Sequence, residues 1–310
     1  EHGMAAPTVD FLSAAARARA TQSRPHRMLS GLWNFARTKP LGFVGAIMVT
    51  FLLTVAVFAP LIAPYDPGRI DLRNALEGPS SMYKLGTDDV GHDMLSRLIW
   101  GARLSMIVGF GAVISSSIVA TILALVSAYL GGWVDMLIMR VIDAWIAMPD
   151  LIILITILGI VRRTDANMMY ALLFALAFSR IAGVTRLYRS YVLEQRSRPF
   201  VEAAEATGAS AMRGMFRHVL PNILPMLIVG ATIVLPATIL AEASLSFLGF
   251  GQEGQPSWGQ MLSVDGREYF RKQFGLALYP GLCIGAAVFG FMVFGDALRD
   301  ILDPRLRGSR

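Results

Sequence analysis

The chain has 310 residues, with 28 Lys and Arg against 22 Asp and Glu, a formal net charge of +6, and it is 55% hydrophobic but only 16% charged. Together with a mean hydropathy of +0.54, this excludes an ordinary soluble domain and makes the bilayer the expected solvent. The basic residues lie mainly outside the apolar runs and form no stripe interleaved with aromatics, so they read as topology determinants, and no nucleic-acid partner is expected.

The first forty residues are mostly polar, with Arg17, Arg19, Arg24, Arg27, Arg37 and Lys39 and little acid. A cleavable signal peptide would begin its apolar core sooner. The segment 1–40 is therefore expected to be a cytoplasmic leader, with "LWNFART" as a short interfacial helix that carries Trp33 and Phe35 on its apolar side. A bilayer core of roughly 30 Å takes about 20 apolar residues of helix. Six segments meet that length: 41–63, 105–130, 134–160, 168–188, 222–247 and 275–297. The expected organisation is a first span with an extracytoplasmic loop (41–103), then a five-helix domain (104–298) holding a cytoplasmic loop at 189–221, then a cytoplasmic tail (299–310). With the N-terminus inside, sixteen basic residues fall on the inner side and ten on the outer, so both termini are expected in the cytoplasm.

The outer loop begins turn-rich, and "HDMLSRLIWGARLS" places Met94, Leu95, Leu98 and Ile99 at helical spacing as an amphipathic lead into the second span. Asp88, Asp89 and Asp93 lack the alternating acids and terminal Glu of a calcium loop and read as loop and cap residues. Gly131, Gly132 and Trp133 alone join the second and third spans.

Charge in a span costs about 3 kcal/mol on insertion scales and calls for a reason. Arg140 and Asp143 share a helix face, where they can pair with each other or with a neighbouring helix; a structural pair and a gate both fit. Arg180 stands past the middle of the fourth span, placed to snorkel. Glu242, in the outer half of the fifth, fits a substrate pathway or a helix-packing hydrogen bond. Ser115, Ser116 and Ser117, with Gly281, Gly285 and Gly290, suit close helix packing, and Pro149, Pro225, Pro236 and Pro280 can kink their spans.

Between the fourth and fifth spans, "VEAAEATGASAMRGMFRHVLPN" reads as a short helix from Val201 to Thr207, a left-handed stop at Gly208, and a second helix from Ser210 to Val219 with Ser210 as N-cap. Pro221 then fits the first turn of the fifth span. The first helix is too short to stand alone. Its alanines admit a partner surface close to the backbone, while Glu202 and Glu205 suit a basic groove better than a bed of anionic headgroups.

Glu202-Ala203-Ala204, Gly208 and Leu220-Pro221 resemble, at the same spacing, the EAA motif of the membrane subunits of binding-protein-dependent ABC importers, with His218 as in the peptide and nickel branch. "LGTDDVGHDMLSRLIWGARLS", "MRVIDAWIAMPDL", "EASLSFLGFG", "PSWGQML" and "GDALRDILDPRLR" resemble the dipeptide-permease C type of that branch, with His92 where Arg is usual. The resemblance implies an all-α membrane protein of six transmembrane helices, the type I importer (MetI-like) permease fold, in a prokaryotic inner membrane. It implies that Glu202, Ala203, Ala204, Glu205, Gly208, His218, Leu220 and Pro221 form the element that docks on an ATPase. It further implies a second, homologous permease, two cytoplasmic ATPases holding ATP and magnesium, and an extracytoplasmic substrate-binding protein. No cofactor, metal or catalytic residue is expected in this chain, which has no Gly-x-x-x-x-Gly-Lys-Ser/Thr sequence.

Two other classes differ in what they require. A secondary transporter or channel calls for ionisable residues near the midplane or paired broken helices. An intramembrane hydrolase calls for Ser-His, paired Asp or His-Glu groups at membrane depth, and His2, His26, His92 and His218 all lie outside the apolar runs. Cys283, the single cysteine, supports neither a disulfide nor a cysteine metal site.

Overall fold

The computed structural model describes residues 35–164, 167–252, 254–263, 269 and 271–302. Trp33 and the last eight residues of the expected tail lie outside them. Among the described residues the chain is built of helices: α1 (Pro40–Ile62), α2 (Met94–Leu130), α3 (Gly132–Ile146), α4 (Asp150–Val161), α5 (Met168–Arg196), α6 (Pro199–Ala206), α7 (Ala211–Phe250), α8 (Trp258–Ser263) and α9 (Gly275–Leu302). Five of these, α1, α2, α5, α7 and α9, are long and apolar enough to cross a membrane, and the bent pair α3 and α4 makes a sixth if counted as one span. In hydrocarbon a backbone amide finds no water, so the helix is the one local structure that satisfies it.

Local chemistry sets the ends. The Asp93 carboxylate accepts from the Ser96 amide at 2.8 Å and from the Ser96 hydroxyl at 2.6 Å, capping α2, which runs without a break through the expected amphipathic lead into the span. Asn167 caps α5 by accepting from the Met169 amide at 2.9 Å. The single helix expected over 134–160 is two: α3 and α4 meet at 84°. Pro149 has no amide to continue α3 and disfavours a helical Met148. Its extended backbone makes it the N-cap of α4, where its carbonyl accepts from the amides of Ile152 and Ile153.

Three buried clusters hold the bundle. Near the loop 63–93, Met94 of α2, Ile239 of α7, Trp258 of α8 and Phe291 of α9 pack together, and the Trp258 indole donates to the Leu98 carbonyl at 2.9 Å. At the opposite end, Leu125 of α2, Tyr188 of α5, Val201 of α6 and Ile223 of α7 form the second. Val108, Leu158 and Leu176 belong to the third, which fixes α4 against α2 and α5. Ser117 and Tyr188 exchange a hydrogen bond at 3.0 Å, and Gly290 packs against Met48; space beside Gly281 and Gly285 is open.

The loop between α1 and α2 is organised around the buried Asp88. One carboxylate oxygen accepts from the amides of Val90 and His92 at 3.1 and 2.8 Å; the other meets the His92 imidazole at 2.7 Å and the Arg97 guanidinium. Burial works against ionisation here, but the His92 hydrogen bonds and the Arg97 charge outweigh it and hold the Asp88 carboxyl below its ordinary range. A depressed folded pKa stabilises the fold above the unfolded value, about 3.9, and the contribution is lost as pH falls through the lower folded value. Amide exchange across 88–97, corrected for intrinsic rates, is expected to stay level from about pH 8 to 5 and to rise below about pH 4. Asp88→Asn should raise exchange at neutral pH and abolish that step; an unchanged acid profile would contradict the assignment.

Candidate functional site

The short helix α6 hangs between two of the longest helices. Pro199 starts it, and its end is closed twice: the Gly208 amide donates to the Glu205 carbonyl at 2.9 Å, and the Ala209 amide to the Ala204 carbonyl at 3.0 Å. This pair of bonds needs a left-handed residue between helix and exit, and Gly208 has φ of +86°. Ser210 then caps the next turn through a 3.4 Å contact from the Arg213 amide.

One face of α6 is anchored and the other is free. Val201 is 1% exposed, locked into the cluster of Tyr188, Met215 and Val219, whereas Phe200, Glu202, Ala203, Glu205 and Ala206 are exposed and Ala204 is half-buried. The outward surface is thus mostly short alanine side chains, with the carboxylates of Glu202 and Glu205 and Phe200 at its start. Glu205 is exposed like Glu202 and in addition reaches back to the bundle. Its carboxylate accepts from the Tyr129 hydroxyl of α2 at 2.9 Å, with the Arg196 guanidinium 5.4 Å from the Tyr129 ring centre and donating to the Ala128 carbonyl at 2.8 Å. Gly214 leaves room for that tyrosine: a Cβ there would fall 1.9 Å from the hydroxyl oxygen. Neither Tyr129 nor Gly214 stood out in the sequence, although a glycine inside an expected helix was the available signal.

The expected boundary between a 210–219 helix and a fifth span that begins near Pro221 is absent. The helix of α7 runs past this point without a stop as far as the kink at Gly249, where φ is +90°. From Gly214 to Val219 it widens into a π turn, in which the Leu220 amide reaches back to the Met215 carbonyl, directly before Pro221. A π register takes up the local disruption around a proline without stopping the helix. His218 sits half-buried in this turn; its carbonyl accepts from the Asn222 side chain at 2.6 Å, and its imidazole makes no hydrogen bond among the described residues. Leu220 packs on the second cluster, and Pro221 is exposed.

The charged groups within the spans fall apart into separate roles. Glu242 is fully buried and accepts from the hydroxyls of Ser105 and Ser246, each at 2.8 Å, so it bridges α7 to α2. Asp143 pairs with Arg186 of α5, not with Arg140, which is exposed and has no ion pair among the described residues. Arg189 grips Asp135 with two bonds, at 2.7 and 2.5 Å, and so ties α5 to α3 a second time. Because α5 continues to Arg196 and not to 188, Arg180 lies near mid-helix, where it faces Asp150 in place of snorkelling.

Residues 116–308 match the family described as binding-protein-dependent transport system inner membrane component, and residues 30–79 match the N-terminal TM domain of oligopeptide transport permease C. The chain is 40% identical over 268 residues to the dipeptide transport system permease protein DppC of Alkalihalophilus pseudofirmus, covering 86% of each. It is 40% identical over 291 residues to the protein of that name from Escherichia coli, covering 91% of this chain and 95% of that one. The glutathione transport system permease protein GsiD of Escherichia coli is 36% identical over 278 residues, which cover 89% and 90%.

The Tyr129 contact has a measurable consequence. Gly214→Ala is expected to destabilise the folded protein by about 1–3 kcal/mol through overpacking. It should appear as a lower unfolding temperature in detergent, and adding Tyr129→Phe should recover part of the loss, since the hydroxyl oxygen is the nearest atom struck.

Proposed function

The chain belongs to the family of binding-protein-dependent transport system inner membrane components, and from that premise we propose that it carries short peptides across the prokaryotic inner membrane as one half of the pathway of an ATP-driven importer. It is a membrane-spanning permease subunit. Its partners in this reading are a homologous permease, two cytoplasmic ATPases that hold ATP and magnesium and perform the hydrolysis, and an extracytoplasmic binding protein that presents the peptide. Both termini and α6 lie on the cytoplasmic side, and the loop 63–93 faces the binding protein.

The observation that carries this reading is the construction of α6. A helix of eight residues, anchored by Val201 and closed at Gly208, presents Glu202 and the alanines outward next to one end of a helix that crosses the bundle. The ATPase cleft takes that face, and its movement on closing around ATP is passed through Glu205 and Tyr129 to α2 and through the Gly208 turn to α7. Binding at this joint must differ between the two transporter states for anything to be transmitted. Arg140 and Asp143 belong to the α3 surface that rides with α5, and Glu242 serves as a packing bridge, not a pathway group.

Reconstitution with the partner subunits tests the reading: loaded binding protein is expected to stimulate ATP hydrolysis and drive dipeptide uptake into proteoliposomes. Uptake by this chain without any ATPase would overturn it in favour of a secondary transporter. Gly208→Asp places a side chain where φ is +86°, a strain of about 1–2 kcal/mol, beside the docking face. It should reduce copurification of the ATPases or stimulated hydrolysis several-fold with membrane insertion intact. Normal uptake by this variant would remove α6 from the coupling path.

A further inference from the structure

The break at Pro149 opens a cavity of about 330 Å³ between α3, α4, α5 and α7. Arg180, on its wall, lies ~18 Å from one end of α5 and ~24 Å from the other at 1.5 Å per residue, so the cavity is at mid-membrane depth. Apolar side chains such as Val184 and Val234 make most of the wall, and Trp145, Asp150, Ser179 and Arg180 supply the polar groups. One side is open, where Asp150 is half-exposed and Ile146 exposed.

Those polar groups are under-used. The indole nitrogen of Trp145, the hydroxyl of Ser179 and the Nε of Arg180 are buried with no hydrogen-bond partner among the described residues, and Ser179 is only 6% exposed. The Arg180 guanidinium reaches Asp150 Oδ2 and the Ala237 carbonyl at 3.4 Å each, at the outer limit of bonding. The Arg189–Asp135 pair of the same bundle closes at 2.7 and 2.5 Å. A pair kept only to hold helices together would close in the same way and leave no donors idle, because unmet donors are costly in a low-dielectric site.

The charge pattern selects a ligand. An anion would meet Asp150 and a cation would meet Arg180, whereas a molecule carrying both charges a few ångströms apart satisfies both and adds no net charge to the membrane interior. A cavity of this size, with mainly apolar walls and a few converging polar groups, suits a small organic molecule. Accordingly, and resting on the permease reading above, we propose that this cavity is a substrate site within the membrane that takes a short zwitterionic peptide. The peptide carboxylate lies on Arg180 and Ser179, its ammonium on Asp150, and a peptide carbonyl accepts from the Trp145 indole. Discontinuous helices at the midplane are where transporters of other kinds also place such sites.

The test uses the whole transporter in proteoliposomes with labelled alanylalanine, and reads uptake and binding-protein-stimulated ATP hydrolysis separately. Arg180→Gln and Asp150→Asn are expected to lower peptide moved per ATP by about tenfold, with stimulated hydrolysis unchanged, and Arg180→Lys should restore most uptake. Unchanged uptake in both charge-removing variants, or uptake that falls only in step with hydrolysis, overturns the site. Where a charge variant fails to assemble, Ser179→Ala and Trp145→Phe decide. A several-fold rise in KM for uptake is expected from each, and an unchanged KM in both overturns the site. Loss of stimulated hydrolysis in the unaltered transporter would instead refute the permease reading itself.

Discussion

Hydrocarbon offers no partner to a backbone amide, so every interruption of a spanning helix in this chain has to be closed by the protein itself. Two interruptions of the spans and the exit of the short helix α6 show such closures. Pro149 turns extended and caps the helix that follows it; the π turn from Gly214 to Val219 carries the chain past Pro221; the exit of α6 is sealed by two amides across Gly208. These places are also where the protein departs from a plain bundle, and each lies in a segment to which a role falls. The break at Pro149 opens the polar cavity, and the other two shape the link between α6 and α7.

The ties between helices are correspondingly sparse and specific. Lipid tails are as apolar as leucine, so burial alone does not hold spans together, and a few polar contacts set register. Glu242 bridges α7 to α2, Arg186 and Arg189 join α5 to α3, and Tyr129 connects α2 to the short helix through Glu205. The last of these puts α6 in contact with a helix remote from it in sequence. A push on α6 is therefore felt by α2 directly as well as by α7 through the chain.

Much of the bundle was legible in the sequence because a bilayer demands about 20 apolar residues per crossing and little else. Helix ends were less so. The fourth span was expected to end at 188, yet the helix continues to Arg196, and Arg186 and Arg189 are paired with acids of α3. Pro221 read as a helix start because proline favours the first turn; that a π turn would carry a continuous helix past it depends on packing that local preference does not encode. Pro149 was a visible kink, but an 84° bend is set by how α4 seats on α2 and α5. In the short helix, the stop at Gly208 follows from local rules, whereas the burial of Val201 comes from other helices. The use of Glu205 does not follow from local rules either, since its partner lies 76 residues away. Arg180 and Asp150 were each visible as charges, but their meeting required the fold.

The length of α7 has a mechanical corollary. Before the kink at Gly249 its helix from Ala211 makes a rod of ~57 Å, nearly twice the hydrocarbon thickness. Pivoted near the middle, such a rod converts a rotation of ~10° into a sweep of ~5 Å at either tip. Small angular adjustments inside a tightly packed membrane core, well within what side-chain repacking tolerates, are thereby magnified into displacements as large as a helical turn at the surfaces where other proteins meet it.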